Sequence, residues 1–404
     1  MPKLDKLIRE LCSDGVQVFR LEEIAHYAKT RIDCKTINED NYVGVENLLQ
    51  NKAGKTKATS VPTTGMVIAY QKNDILIGNI RPYLRKVWLA DCEGGTNGDV
   101  LTVQIKDTEK VLPQFLYYVL SSEKFFLYDI QNSKGAKMPR GSKDAVMKFE
   151  IPLPPIEVQR EIVRILDNFT NLTAELTAEL TARKTQYAYY RDKLLKAETN
   201  AHKYKLGEIA TVTKLAGFEF TNYMTYSENG NIIALRGLNV KNGRLDLHDV
   251  KYVDKSDFSK LERSKLHIGD MLFTYVGTVG QVAIVDEEDK YYLAPNVALI
   301  RCDKEVLLPQ YMKYYFQTTR FWDKEIRRLL QSSSMQNIPM EKIRKFEIAV
   351  PPLDVQNRIV NVLDNFEKIC SDLNIGLPAE IEARQKQYEY YRDKLLTFKE
   401  VAAT

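Results

Sequence analysis

Cysteine is scarce: five residues, at positions 12, 34, 92, 302 and 370, are odd in number and form no Cys-x-x-Cys pair. That argues against a zinc or disulfide framework and for a reducing compartment. The four histidines, His26, His202, His248 and His267, add no metal-ligand spacing. Gly54-Lys55-Thr56 imitates the end of a phosphate-binding loop, but Leu49 stands where the first glycine is needed. Gly277-Thr278-Val279-Gly280 lacks the third glycine of a dinucleotide fingerprint and reads as a hairpin turn. No Asp-Pro-Pro-Tyr or Asn-Pro-Pro-Tyr run, no Ser/His/Asp grouping and no paired carboxylates are present. A non-catalytic chain without metal or cofactor is expected. The opening MPKLDKLIRELC alternates charge with apolar residues at helical spacing, unlike a secretion signal or membrane span, so the expected location is the cytoplasm.

Against these absences stands a long internal repeat. Residues 151–195 begin IPLPPIEVQREIVRILDNF and end QYAYYRDKLL, while residues 348–396 begin IAVPPLDVQNRIVNVLDNF and end QYEYYRDKLL. A repeated frame around divergent segments implies a pseudo-two-fold object written as one polypeptide. In the first copy Ile162, Ile165, Leu166, Phe169, Leu172, Leu176, Leu180, Tyr187, Tyr190 and Leu194 recur at three- and four-residue steps. They predict one amphipathic helix over residues 157–196, entered through Pro154-Pro155. Its mate is the second copy, through Ile359, Val362, Leu363, Phe366, Ile369, Leu373, Ile381, Tyr388, Tyr391 and Leu395. An intramolecular antiparallel coiled coil would bury both stripes.

The first helix contains the tandem Leu-Thr-Ala-Glu units of residues 172–182. Each four-residue unit adds about 6 Å, close to two base pairs of DNA at about 3.4 Å each. The second copy is four residues longer between Gln356 and Gln387 than the first between Gln159 and Gln186. That interval holds Asn374-Ile375-Gly376-Leu377-Pro378, and its proline is expected to break or kink the helix.

Between the copies lie runs with strand character, at residues 66–70, 74–80, 86–89 and 101–105, then 232–236, 270–276, 281–285 and 297–301. The two sets share a plan: RLEEIA parallels KLGEIA, and LPQFLYYVL parallels LPQYMKYYF, the latter pair helical. The expected fold class is mixed α/β. The expected organisation is an N-terminal helical segment (1–17), a first α/β domain (18–152), a long helix (153–200), a second α/β domain (201–350) and a second long helix (351–404).

Net charge is only +4, but basic residues gather before each helical copy. Residues 131–148 carry Lys134, Lys137, Arg140, Lys143 and Lys148, and residues 320–345 carry Arg320, Lys324, Arg327, Arg328, Lys342, Arg344 and Lys345. Such blocks are more often plain solvated surface; their recurrence at matched points favours double-stranded DNA as the partner. Asn79, Arg81, Tyr83, Arg85 and Lys86 follow a strand, and Tyr275, Thr278 and Gln281 occupy the matching place in the second domain. With Lys134, Lys137, Arg140, Ser142 and Lys143, and with Arg327, Arg328, Gln331, Ser332, Ser333, Gln336 and Asn337, these are the candidate DNA contacts. Arginine suits guanine, Asn and Gln suit adenine, and the cations suit phosphates.

Taken together, FEIPLPPIEVQ and FEIAVPPLDVQ, the two YYRDKLL endings and the central TAEL units resemble the specificity subunit of type I restriction-modification systems, over essentially the full length. The resemblance implies two target-recognition domains, each reading half of a bipartite, gapped DNA target. It further implies helices that set the gap and dock two modification subunits, which methylate adenine at N6 with S-adenosylmethionine. Restriction subunits that hydrolyse ATP with Mg²⁺ and cleave DNA would join them. The docking candidates are Gln159, Ile162, Tyr190, Arg191 and Leu194, with Gln356, Ile359, Tyr391, Arg392 and Leu395 as mates. The competing reading is a coiled-coil adaptor with two protein-binding domains, without salt-dependent DNA affinity.

Overall fold

Periodicity and helix punctuation predict the framework closely. The first long helix spans Ile156–Leu194, 39 residues and about 58 Å, and starts directly after Pro154-Pro155. The structure is a computed structural model and describes residues 2–196, 201–330, 336–371, 376–399 and 401. The second copy forms two helices, Leu353–Ser371 and Leu377–Leu395. Pro378 is the second residue of the latter, a first-turn site where its missing N–H costs nothing. The expected interruption therefore falls before the proline; Asn374 and Ile375 lie outside the described residues.

Packing divides the chain inside the long helices. One compact unit comprises Met1–Leu176 with Ile381–Thr404, the other Thr177–Glu380. In the first unit, Phe169 stacks on Tyr391 at 5.4 Å; in the second, Tyr190 stacks on Phe366 at 5.8 Å. Each unit thus packs a stretch of the first long helix on a stretch of the second copy. The stripes are less deeply buried than their pattern suggests. In the first helix only Val158, Gln159, Glu161, Ile162, Ile165 and Leu166 are buried, while Leu172, Leu176 and Leu180 are half-buried. Val362 and Ile369 are more than two-fifths exposed, and Val360 and Cys370 are buried instead. The inward face is set by the domain each helix packs on, and this rotates it away from the face a simple two-helix pair would use.

The first unit holds an antiparallel sheet in the order Ala25–Tyr27, Val100–Ile105, Ile75–Gly78, Val87–Leu89. Its apolar face, with Ile75, Ile77, Leu101 and Val103, packs with Phe115 and Leu116 of helix Pro113–Leu120 and with Val158, Ile162 and Leu166 of the long helix. The second unit repeats the sheet as Ala210–Lys214, Val297–Cys302, Met271–Thr274, Val282–Ile284. Its core joins Met271, Phe273 and Ile300 to Tyr311, Met312 and Phe316 of helix Pro309–Phe316, and to Ile359 and Leu363. A strand before each domain closes on a strand after it: Gln17–Arg20 on Glu150–Leu153, and His202–Lys205 on Glu347–Val350. Further small sheets differ between the units.

The Pro-Pro-x-x-x-Gln segments explain how a domain is fastened to its helix. Gln159 is fully buried; its Oε1 accepts from Leu112 N at 2.9 Å, and its Nε2 donates to Lys110 O and Pro154 O, both at 2.8 Å. Gln356 is equally buried and repeats the pattern with Leu308 N at 2.9 Å and with Val306 O and Pro351 O at 2.8 Å. A second brace is also duplicated: Tyr118 donates to Asp167, and Tyr314 to Asp364. Replacing Gln159 with Ala leaves one N–H and two carbonyls without their partner, a loss on the order of 3 kcal/mol. Gln159→Glu keeps the acceptor, loses the donor, and should be as harmful at neutral pH. Thermal unfolding and exchange of the Leu112 amide check both; an unchanged melt with a protected amide would refute the clamp.

Candidate nucleic-acid interface

In the first unit, strand Ile75–Gly78 runs into a stiff loop. Arg81 and Arg85 adopt left-handed backbone angles, φ 53° and 52°, around the short turn Pro82–Leu84. Non-glycine residues hold that conformation only where surrounding contacts over-determine it. For Arg81 those contacts come from the predicted basic segment: Arg81 N donates to Pro139 O at 2.7 Å, and Gly141 N to Asn79 O at 3.0 Å; Arg85 O instead accepts from Lys52 N at 2.9 Å. Lys134 and Arg140 exchange backbone bonds of 2.9 and 2.8 Å. Two candidate segments far apart in sequence thus form one surface. The second unit does the same: Gly277 N donates to Gln336 O at 3.0 Å and Ile338 N to Tyr275 O at 2.9 Å. Gly277 and Gly280 have φ of 79° and 87°, as the predicted hairpin turn requires.

The candidates separate by what their side chains do. Arg81, Tyr83, Lys134, Lys137 and Lys143 are exposed, and none of the four cations forms an ion pair among the described residues. Arg140 is exposed but pairs with Asp99 at 3.1 Å. Asn79 is buried, Arg85 is half-buried against Glu123, and Lys86 donates to Val45 O at 2.6 Å, with burial lowering its pKa. Ser142 caps the helix Lys143–Met147 by accepting from Ala145 N. These four hold the loops, which corrects the expectation that they contact DNA. In the second unit Thr278, Gln336 and Asn337 are exposed, Tyr275 is buried, and Gln281 accepts from Asn242 N at 3.0 Å. Arg328 is exposed, whereas Arg327 pairs with Asp323 and Lys324 with Glu347. The basic block here is interleaved with acids and neutralised in part. Gln331, Ser332 and Ser333 lie outside the described residues.

The docking candidates need a similar correction. Gln159, Ile162, Gln356, Ile359, Arg392 and Leu395 are buried, so internal packing occupies them. Arg191 is taken by Asp192 and by the Tyr187 ring; Leu194 and Tyr391 are half-buried. Tyr190 is partly exposed, 37%, although its ring stacks on Phe366. Their neighbours Tyr189 and Tyr390 are more exposed, at 60% and 61%; the repeated YYRDKLL contains them but periodicity does not single them out. Each has a lysine over its ring, Lys193 at 5.7 Å and Lys394 at 5.8 Å. Sequence reading also missed the hairpin of Val240–Lys241 and Arg244–Leu245, whose Asn-Gly turn was the available signal.

Beneath the first loop pair lies an unusual acid. Asp129 is 1% exposed and neither carboxylate oxygen has a hydrogen-bond partner, and Asn79 Oδ1 is likewise unpaired. Gly141 separates them: a Cβ there would stand 2.5 Å from Asp129 Oδ1 and 2.8 Å from Asn79 Oδ1. Burial pushes the Asp129 carboxyl up to about 6. The folded state therefore binds a proton more tightly than the unfolded chain, so this group's contribution to stability falls as pH rises from about 4 through 6 and is flat above. Asp129→Asn should stabilise the protein at pH 7.5 by on the order of 3 kcal/mol and by about half that at pH 5. Melting curves of both proteins at the two pH values test this; an equal benefit at both would remove the acid from the account.

The chain matches the family model described as the type I restriction modification DNA specificity domain, over residues 13–183 and 198–383. It is 34% identical to the Escherichia coli type I restriction enzyme EcoR124I/EcoR124II specificity subunit, over 72% of this chain and 72% of that protein. With a putative type I restriction enzyme specificity subunit of Haemophilus influenzae it shares 32% identity over 73% of this chain and 74% of the other. Among solved structures, one described for assembly and conformational transition of a type I R-M system matches with a TM-score of 0.63 at 17% identity, covering 95% and 97% of the chains. The type I S subunit of M. genitalium matches at 0.53 and 14% identity, covering 94% and 96%. At such identities these structures support the fold alone.

Proposed function

Since the chain belongs to the type I restriction-modification DNA specificity family, and is a non-catalytic specificity subunit of such a system, we propose that each unit reads one half of a bipartite, gapped DNA target. The observation that carries this is the joining of the predicted loop pairs in both units, residues 79–86 with 134–143 and 275–281 with 336–337. Exposed Arg81, Lys134, Lys137 and Lys143 on one surface, and Thr278, Gln336, Asn337 and Arg328 in the other unit, supply cations for phosphates and polar groups for base edges. S-adenosylmethionine, ATP and Mg²⁺ would act in partner subunits, which methylate adenine at N6 or cleave. No described helix is long and apolar enough to cross a membrane.

The long helices set the gap in this reading. The TAEL stretch is helical throughout and contains no fully buried residue, so a change of length there disturbs little packing. A map of N6-methyladenine in the host with and without the gene should show loss of one two-part motif. Deleting residues 176–179 should shorten its unread gap by about two base pairs and leave both halves intact. An unchanged gap refutes the spacer role, and no lost motif refutes the function.

Modification subunits would dock on the exposed rings repeated at Tyr189 and Tyr390, each flanked by a lysine. Partly exposed aromatic anchors of this kind dominate interface energetics. Tyr189→Ala should cost one modification subunit in the co-purified complex and Tyr189→Ala with Tyr390→Ala both, measured as mass by light scattering. Full occupancy in the double variant would exclude these anchors.

A further inference from the structure

The hairpin that pairs Val240–Lys241 with Arg244–Leu245 has no sheet counterpart among the described residues of the first unit. Its two turn residues, Asn242 and Gly243, both have left-handed φ, 49° and 85°, the geometry of a two-residue turn that favours Asn-Gly. The tip is braced on every side. Gly243 N donates to Val282 O at 2.9 Å, and Asn242 N to Gln281 Oε1 at 3.0 Å. Lys241 pairs with Asp246 at 2.6 Å, and Arg244 reaches Glu367 at 3.3 Å and Ser371 O at 3.4 Å. With both cations committed, the exposed side-chain amide of Asn242 is the uncommitted polar group of the hairpin among the described residues. It stands at the rim of a groove of about 750 Å³ that it shares with Thr278 and Gln281 of the candidate loop and with Phe220, Arg236 and Asn296.

We propose that Asn242 reads an adenine in the second half-site, its amide donating to N7 and accepting from N6. This rests on the DNA-reading role proposed above and adds to it a residue and a base. An Asn amide matches that edge bidentately, and a rigid backbone removes much of the ordering cost. Turn preference alone accounts for the backbone of residue 242 but gives its side chain no task. Glycine separates the two roles because it holds the left-handed turn and lacks the amide.

The test uses the full chain with its modification partners, reading methylated motifs from cells that carry wild type, Asn242→Gly or Asn242→Asp. Asn242→Gly should keep the first half-site and the gap, and lower discrimination at one A·T pair of the second half-site by about 5- to 150-fold. Asn242→Asp, which cannot donate to N7, should turn that position away from adenine. An unchanged second half-site in both variants overturns the assignment. So does uniform loss of methylation, which would report folding or assembly. Absence of any bipartite motif with the wild-type chain would instead sink the DNA reading itself, and would be visible before either variant is made.

Discussion

A buried glutamine amide at the start of each long helix makes a fixed joint between domain and helix. An amide is the one uncharged side-chain group that can accept from a backbone N–H and donate to two carbonyls at once. Gln159 and Gln356 do this with the same distances, 2.9 Å to the N–H and 2.8 Å to each carbonyl. The partners are the segment before helix Pro113–Leu120 or Pro309–Phe316 and the proline carbonyl just before the long helix. A charged group in that place would need a counter-ion, and an apolar one would strand three backbone groups. The joint ties the orientation of a domain to its helix, without which distance along the helix would carry no information.

Around that joint the two units keep one chassis and vary its outer face. Sheet order, the flanking strand pair and the tyrosine-to-aspartate brace recur. The second unit adds Glu367, which gathers Lys313 and Tyr314 at 2.8 Å and Arg244 at 3.3 Å. The residue at the matching place in the first copy is Thr170. Glu367 thus links the hairpin bearing Asn242 to helix Leu353–Ser371, a strut without a counterpart among the described residues of the first unit. Divergence in surface is accompanied by its own internal support, as a rigid recognition face demands.

Much of the architecture was legible because it is periodic. The long helix, the eight strand-like runs and the two aromatic helices sit within a few residues of their expected bounds, since alternation and three-four spacing report local geometry directly. The loop pairs were legible as sets because the repeat places them at matched points. Individual roles were not. Nothing near Arg85 or Lys86 in sequence announces Glu123 or the carbonyl of Val45. Likewise the three partners of Gln159 include residues 47 and 49 positions away, so a polar residue at a helix start read as surface. The exposure of Val362 and Ile369 has the same origin: a hydrophobic stripe says that a helix is buried on one side, and the tertiary partner chooses which atoms go deepest.

The repeated tetrapeptide imposes a geometric condition on the spacer reading. Four residues advance a right-handed helix by about 6 Å and turn it by about 400°, a net rotation near 40°. Two base pairs advance DNA by a similar length but turn it by about 70°, at roughly 10.5 base pairs per turn. A rigid helix lengthened by one unit would therefore match the distance and miss the angle by about 30°. Absorbing that angle calls for a soft region, and the middle of helix Ile156–Leu194, with its leucines half-buried and its threonines between them, has less deep packing than its opening turns. Threonines such as Thr181 and Thr185 donate back to the carbonyl four residues earlier, a bond that slightly bends a helix. A rigid clamp beside each domain and a compliant stretch between the clamps are together what a ruler with steps of four residues requires.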